Sequence, residues 1–284
     1  MQAWINYGFP TRIMVDRMSH FVGYALPDAP CATNQAPYPI VLCSPMGAGP
    51  RAYWAEKAAH LASHGYVVAS MDHHDVVGTV FPDGTYLKGD SSGDFNAATL
   101  HDRVRDLVFV LDEVTRWSTN DAVFAGRLDL TKVATLGGCC GYEAAAEFCR
   151  NDPRCRAAIL VLCHSTAHWG CVTSVPDLDQ FGVGKPFLGV YSEVNTAYTW
   201  LFDKAAKDAT VFRILGTGEV PKAGMILVGD FYWFQTPDFL ALGREASRTI
   251  ADYGLWFLNK YLKHSTDPMP ALADYPRVTG FMQK

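Results

Sequence analysis

The sequence predicts an α/β protein, with a mostly parallel central sheet and helices on both faces. Three observations predict it. Apolar runs of strand length alternate with helix-periodic segments along the chain. Apolar residues make up 49% of the 284 residues, enough for one sizeable core. Between residues 133 and 147 an apolar run meets a cluster of glycines and then a helix-forming Glu-Ala-Ala-Ala-Glu segment, which reads as strand, sharp turn and helix.

Taken in order, residues 20–26 read as an early strand that ends at Pro27-Asp28. Residues 39–44 are a buried strand, followed by the Gly-rich loop 45–50. Residues 53–63 are helical, with Gly65 as the C-terminal stop. The strand 66–71 runs into Asp72-His73-His74-Asp75, and 76–94 is an irregular excursion with several glycines. Residues 99–115 form an amphipathic helix with Leu100, Val104, Leu107, Val108 and Leu111 on one face. The strand 132–136 leads into the glycine cluster and the helix 141–150 follows it. Strands at 157–162, 186–191 and 210–215 complete the sheet, with a helix at 198–208. A long aromatic loop spans 216–237, a closing helix 244–262, and a Pro-containing tail begins at His264. No repeat, linker or low-complexity segment interrupts the pattern. Residues 1–284 therefore read as one domain, with a core over about 20–263 and a tail over 264–284.

A formal net charge of −5 and the lack of a basic stripe argue against a nucleic-acid partner. No apolar run approaches the length of a membrane span. The start, Met1-Gln2-Ala3-Trp4, lacks a basic segment followed by an apolar one, so no signal peptide is visible and a cytoplasmic location is expected. Eight cysteines in a chain of this length are not a disulfide scaffold, and no CxxC pair or zinc-type histidine spacing occurs. Mostly reduced thiols are expected, with Cys31, Cys149, Cys155 and Cys171 structural. No cofactor is implied, and oligomeric state is left open.

The most informative stretch is Gly137-Gly138-Cys139-Cys140-Gly141. A nucleophile elbow has the frame G-x-S-x-G, and here Cys139 stands where the serine would be. The glycines matter because the nucleophile occupies a strained backbone conformation and its neighbours must be small. A thiol just before a helix N-terminus is also favoured as thiolate by the partial positive charge there.

Four segments carry a wider resemblance: Tyr38-Pro39-Ile40-Val41-Leu42-Cys43-Ser44; Leu61-Ala62-Ser63-His64-Gly65-Tyr66-Val67-Val68-Ala69; Asp129-Leu130-Thr131-Lys132-Val133; and Lys185-Pro186-Phe187 through Tyr191-Ser192-Glu193. With the elbow, their order resembles an α/β-hydrolase. The nearest branch is that of the platelet-activating-factor acetylhydrolases and their polyester-hydrolase and dienelactone-hydrolase relatives. The resemblance implies the α/β-hydrolase fold over roughly residues 20–263. It also implies a nucleophile at Cys139, a thiol as in the dienelactone hydrolases.

The family triad requires an acid after the sixth or seventh strand and a histidine after the last. At the first acid position this chain has Leu162-Cys163-His164, and after the next strand it has Glu193 and Asn195. After the last strand it has Gly216-Thr217-Gly218-Glu219, and no histidine occurs between His168 and His264. An ordinary Cys-His-Asp order is absent. A thiol needs less help than a hydroxyl, because its unperturbed pKa is only about 8.5. His164, at a strand C-terminal end, is the first candidate base, with His168 second. Glu193 and Glu219 read either as acid–base or orienting groups or as solvated loop glutamates. The resemblance places the oxyanion hole at the Cys140 N–H plus Met46 or Gly47, since Pro45 has no N–H. Tyr142, Trp169, Phe231 and Trp233 read either as walls of an apolar pocket or as ordinary core and lid packing, and His73 lies where relatives often carry a rim histidine or else packs the turn after its strand.

The leading reading is acyl transfer through Cys139 on an apolar ester, lactone or thioester. The partner implied is a small apolar molecule. Loss of the usual histidine favours, as an alternative, a cyclase, isomerase or C–C lyase on the same scaffold. A lesser alternative gathers Cys43, Cys139, Cys140, Cys163 and His164 into a thiol-rich metal site, or makes the chain an inactive binding protein.

Overall fold

The computed structural model describes residues 25–26, 28–46, 49–74, 78–81, 83–89, 96–162, 175–195, 199–218 and 237–284, without the side chains of 78, 80 and 237–240. Its strands are β1 Tyr38–Ser44, β2 Val67–Ser70, β3 Gly78–Val80, β4 Tyr86–Lys88, β5 Leu128–Gly138, β6 Cys155–Leu162, β7 Phe187–Ser192, β8 Ala209–Ile214 and β9 Val278–Gln283. Its helices are α1 Ala55–Ser63, α2 Ala97–Asn120, α3 Cys140–Asn151, α4 Pro176–Phe181, α5 Trp200–Lys204 and α6 Pro237–Leu262.

Seven strands form one sheet in the order β2-β1-β5-β6-β7-β8-β9. Every pairing in it is parallel except the last, where β9 runs antiparallel to β8. The central strands are apolar on both faces because helices cover both. On one face α2 sets Leu100, Leu107, Leu111 and Val114, and α3 sets Tyr142, Ala144, Ala145, Ala146 and Phe148, against Ile40, Leu42 and Leu160. On the other, Leu61 of α1 and Ala246, Ile250, Tyr253, Phe257 and Leu258 of α6 pack against Val41, Ala134 and Val190. The Asn96 side chain caps α2 by accepting from the Ala98 and Thr99 amides at 2.9 and 3.2 Å.

The elbow helix α3 is tied to β6 by the turn that joins them. Arg154 grips the Asp152 carboxylate from its own side chain and reaches Asp112 of α2 at 2.6 Å. Partial burial pushes the Asp152 carboxyl up, but the Arg154 contacts outweigh it and hold the group below its ordinary value.

Several elements differ from the expectation. The tail supplies β9, so residues beyond 264 do belong to the sheet. Its strand signal is weak because no position is fully buried and Gly280 interrupts it at φ 58°. The excursion at 76–94 contains the small antiparallel pair β3–β4. The closing helix begins at Pro237 rather than 244, the 198–208 helix shrinks to α5, and α4 was not foreseen. Residues 20–24 of the expected first strand lie outside the described residues, and 25–26 are not strand. No helix among the described residues is long and apolar enough to cross a membrane.

Candidate active site

The elbow is built by two glycines that have no room for a side chain. A Cβ on Gly137 would stand 2.1 Å from the Gly141 carbonyl oxygen and 2.5 Å from the Ala145 Cβ. A Cβ on Gly141 would stand 2.2 Å from the Ser44 carbonyl oxygen and 2.5 Å from that of Pro45. Their absence lets α3 drop directly onto the ends of β5 and β1. The turn forces Cys139 to φ 52° and ψ −121°, a conformation that L residues avoid. The Cys139 N–H donates to the Val161 carbonyl at 2.9 Å, and its own carbonyl accepts from the Tyr142 N–H at 2.9 Å. Strain on this residue is therefore held by hydrogen bonds on both sides.

Cys139 carries a thiol, 6% exposed, 3.9 Å from the Cys140 sulfur. Cys140 is disulfide-bonded. The Cys140 amide opens α3, where helix geometry provides no intrahelical acceptor. Met46 is half-buried against the apolar cluster that holds Cys139 and Cys140, and its carbonyl accepts from the Gly49 N–H at 3.0 Å. Gly47 lies outside the described residues.

The loop after β1 is clamped by α2, a feature the sequence did not disclose. Strand alternation puts Ser44 on the face of Ile40 and Leu42, toward α2. Its Oγ lies 2.9 Å from His73 Nε2, and His73 Nδ1 donates to Asp106 Oδ2 at 2.7 Å. Because a carboxylate only accepts, Nδ1 carries the hydrogen, and in the neutral ring Nε2 then accepts from the Ser44 hydroxyl. The wiring is that of a Ser-His-Asp relay. Ser44 is wholly enclosed, so the relay holds the strand end and does not present a nucleophile. One turn earlier on α2, the buried Arg103 donates to the Pro45 carbonyl at 2.7 Å. His73 is thus a buried anchor under the loop, not a rim residue. Position after a strand suggested the rim, whereas the partner on α2 is 33 residues away in sequence.

Tyr53, also unforeseen, lies near the thiol. Burial, with a smaller contribution from the neighbouring Cys139, pushes its phenol up to about 12. Tyr142 lies behind the elbow rather than over it. It is buried in the core on the α2–α3 face, with its hydroxyl 3.2 Å from that of Tyr191. Burial raises the phenol of Tyr142 well above its ordinary value.

Glu193, at the acid position after β7, spends both carboxylate oxygens on backbone. It accepts from the Gly216 N–H at 2.7 Å and the Gly218 N–H at 3.1 Å, and its own N–H donates to Thr217 Oγ1 at 3.1 Å. It therefore organises the turn after β8. Glu193→Ala is expected to cost about 2–3 kcal/mol of stability by orphaning two amides that meet a charged acceptor, as read by urea denaturation.

His164, Trp169, Glu219, Phe231 and Trp233 lie outside the described residues, as do His168, Cys163 and Cys171. Among the described residues no group of three or more histidine, cysteine or carboxylate side chains is placed to hold a metal. Burial pushes the Cys43 thiol up and keeps it in its proton-bearing form inside the core. A cleft lined by Gln35, Pro39, Gly65, Lys132 and Lys263 lies at the opposite, N-terminal end of the strands.

No family model matches the chain, and no curated protein matches it. Among solved structures, 187 chains match. One is a ferulic acid esterase from Streptomyces cinnamoneus, 23% identical, with a TM-score of 0.67 over 87% of this chain and 74% of that one. With the parallel sheet and the elbow, that likeness establishes the α/β-hydrolase fold.

Proposed function

We propose, from the α/β-hydrolase fold, that this chain is an acyl-transfer enzyme whose nucleophile is Cys139 and whose substrate is an apolar ester, lactone or thioester. The observation that carries the reading is the backbone of Cys139 at φ 52° between two glycines that admit no Cβ. A residue is held in such a conformation at a cost of about 1–3 kcal/mol, and chains keep it where a reactive group must be presented. The esterase among the structural neighbours supports ester chemistry as the reaction class.

In the proposed cycle, Cys139 Sγ attacks the carbonyl carbon. The resulting oxyanion is held by the Cys140 N–H and an amide of the loop that starts at Met46. Collapse expels the alcohol or thiol with a proton, leaving an S-acyl enzyme. Water then releases the acid and restores the thiol. His164 is the candidate to carry the proton, with Glu219 in the same role or orienting it. Glu193, occupied by two amides, serves as a positioning residue for the turn before Glu219. Trp169, Phe231 and Trp233 are the candidate apolar walls.

The test is acyl trapping. Incubation with p-nitrophenyl acetate is expected to add one acetyl mass to wild type, mapped to Cys139, and none at that position in Cys139→Ala. Turnover that survives Cys139→Ala with no adduct would move the reading to the non-hydrolytic cyclase, isomerase or lyase.

A further inference from the structure

We propose that Cys149 and Cys155 are a disulfide-forming pair, which fastens the C-terminal end of the elbow helix to β6. Their sulfurs lie 2.6 Å apart, and both residues are fully buried. Two sulfurs in ordinary contact elsewhere in this molecule, those of Cys139 and Cys140, stand 3.9 Å apart. A covalent S–S bond is about 2.05 Å long, so the pair is far nearer to bonding than to contact.

The backbone is already fixed around it. Cys149 sits in the last turn of α3, and Cys155 is the first residue of β6. The Asp152 N–H donates to Phe148 O at 2.8 Å and the Cys155 N–H donates to Asp152 O at 3.1 Å. Arg154 holds the same turn from outside through Asp152 and Asp112. The bond would give α3 a covalent tie to β6, beside the turn at Asp152 and the hydrogen bond from the Cys139 N–H, just before the helix, to the Val161 carbonyl.

Burial pushes the Cys149 thiol well above its ordinary value, so thiolate is scarce once the chain has folded. The bond therefore forms while the turn is still open to solvent. The oxidant is a small disulfide of the glutathione type. One cysteine thiolate attacks it and expels a glutathione thiolate, giving a mixed disulfide. The second cysteine thiolate attacks the protein sulfur of that bond and expels the other glutathione thiolate. Two protein thiols are oxidised, one glutathione disulfide is reduced to two thiols, and two protons leave the protein. None of this rests on the acyl-transfer reading, and its test measures covalent connectivity rather than turnover.

The protein is refolded in a glutathione redox buffer, quenched in acid, unfolded, alkylated with N-ethylmaleimide and digested with trypsin. Cleavage after Arg150, Arg154 and Arg156 separates the two cysteines unless they are bonded. The expected result is the dipeptide Cys155-Arg156 joined to the peptide that ends at Arg150, which also carries the peptide bonded to Cys140, with fragmentation placing the Cys155 junction at Cys149. Recovery of both cysteines as maleimide adducts, or Cys155 joined to another cysteine, overturns the proposal. In Cys149→Ser, Cys155 is expected to be alkylated throughout. Reductant is expected to lower the Tm of wild type by about 5 °C more than that of the variant. Equal shifts would also overturn it, and the mapping on wild type stands whether or not the variant folds.

Discussion

Gly141→Ala is expected to lower the melting temperature by about 10 °C, equivalent to at least about 3 kcal/mol. The new methyl would lie 2.2 Å from the Ser44 carbonyl oxygen and 2.5 Å from that of Pro45. Both obstacles are backbone, so no side chain can swing aside. Relief requires β1 and α3 to separate by about an ångström, the scale of overpacking that cores resist. Ser44 cannot retreat easily, because its hydroxyl is engaged by His73 and its carbonyl accepts from Trp54 Nε1 at 3.2 Å. Pro45 is held by Arg103. The same displacement would shift the loop at Met46, so acyl-adduct formation on Cys139 is expected to slow by at least about tenfold in whatever fraction folds. Thermal denaturation followed by circular dichroism measures the first effect. A variant within 1 °C of wild type would mean that the helix and the strand end do not touch as described.

His73→Ala is expected to be the second most damaging change, at about 3–4 kcal/mol. It leaves a void where a fully enclosed imidazole stood and orphans the Ser44 hydroxyl in a site that water does not reach. Asp106 loses less, because its side chain is 42% exposed and can turn to solvent. Ser44→Ala is expected to cost less than His73→Ala, since it removes one hydroxyl and creates no void of that size. In a double-mutant cycle read by urea denaturation, the two are expected to couple by about 1–2 kcal/mol. Additive effects would mean that the Ser44–His73 contact contributes nothing. A stable His73→Ala protein would mean that the loop after β1 is not held from α2.

The alternation of apolar runs and helical stripes made the sheet and most of its helices legible in the sequence. A buried parallel strand such as β1 and an amphipathic helix such as α2 write their environment into every residue. The elbow was legible for a related reason, since glycines at both flanks are a steric demand visible in the letters themselves. What the letters concealed were contacts made across long separations. Asp106 is one polar residue among many on the half-exposed side of α2, and only folding brings it to His73. The role of Glu193 is set by two amides more than 20 residues away. Likewise β9 has no strong pattern of its own and takes its conformation from the open edge of β8.

That last strand bears on how the protein is made. Six parallel-paired strands can assemble as they are synthesised, but β8 keeps a bare row of amides and carbonyls until residues 278–283 have left the ribosome. An exposed edge of that kind invites pairing with a second nascent chain. A chain that stalls or is cut before Val278 thus carries the elbow in an otherwise complete sheet, yet it is left with a sticky flank that quality control must recognise.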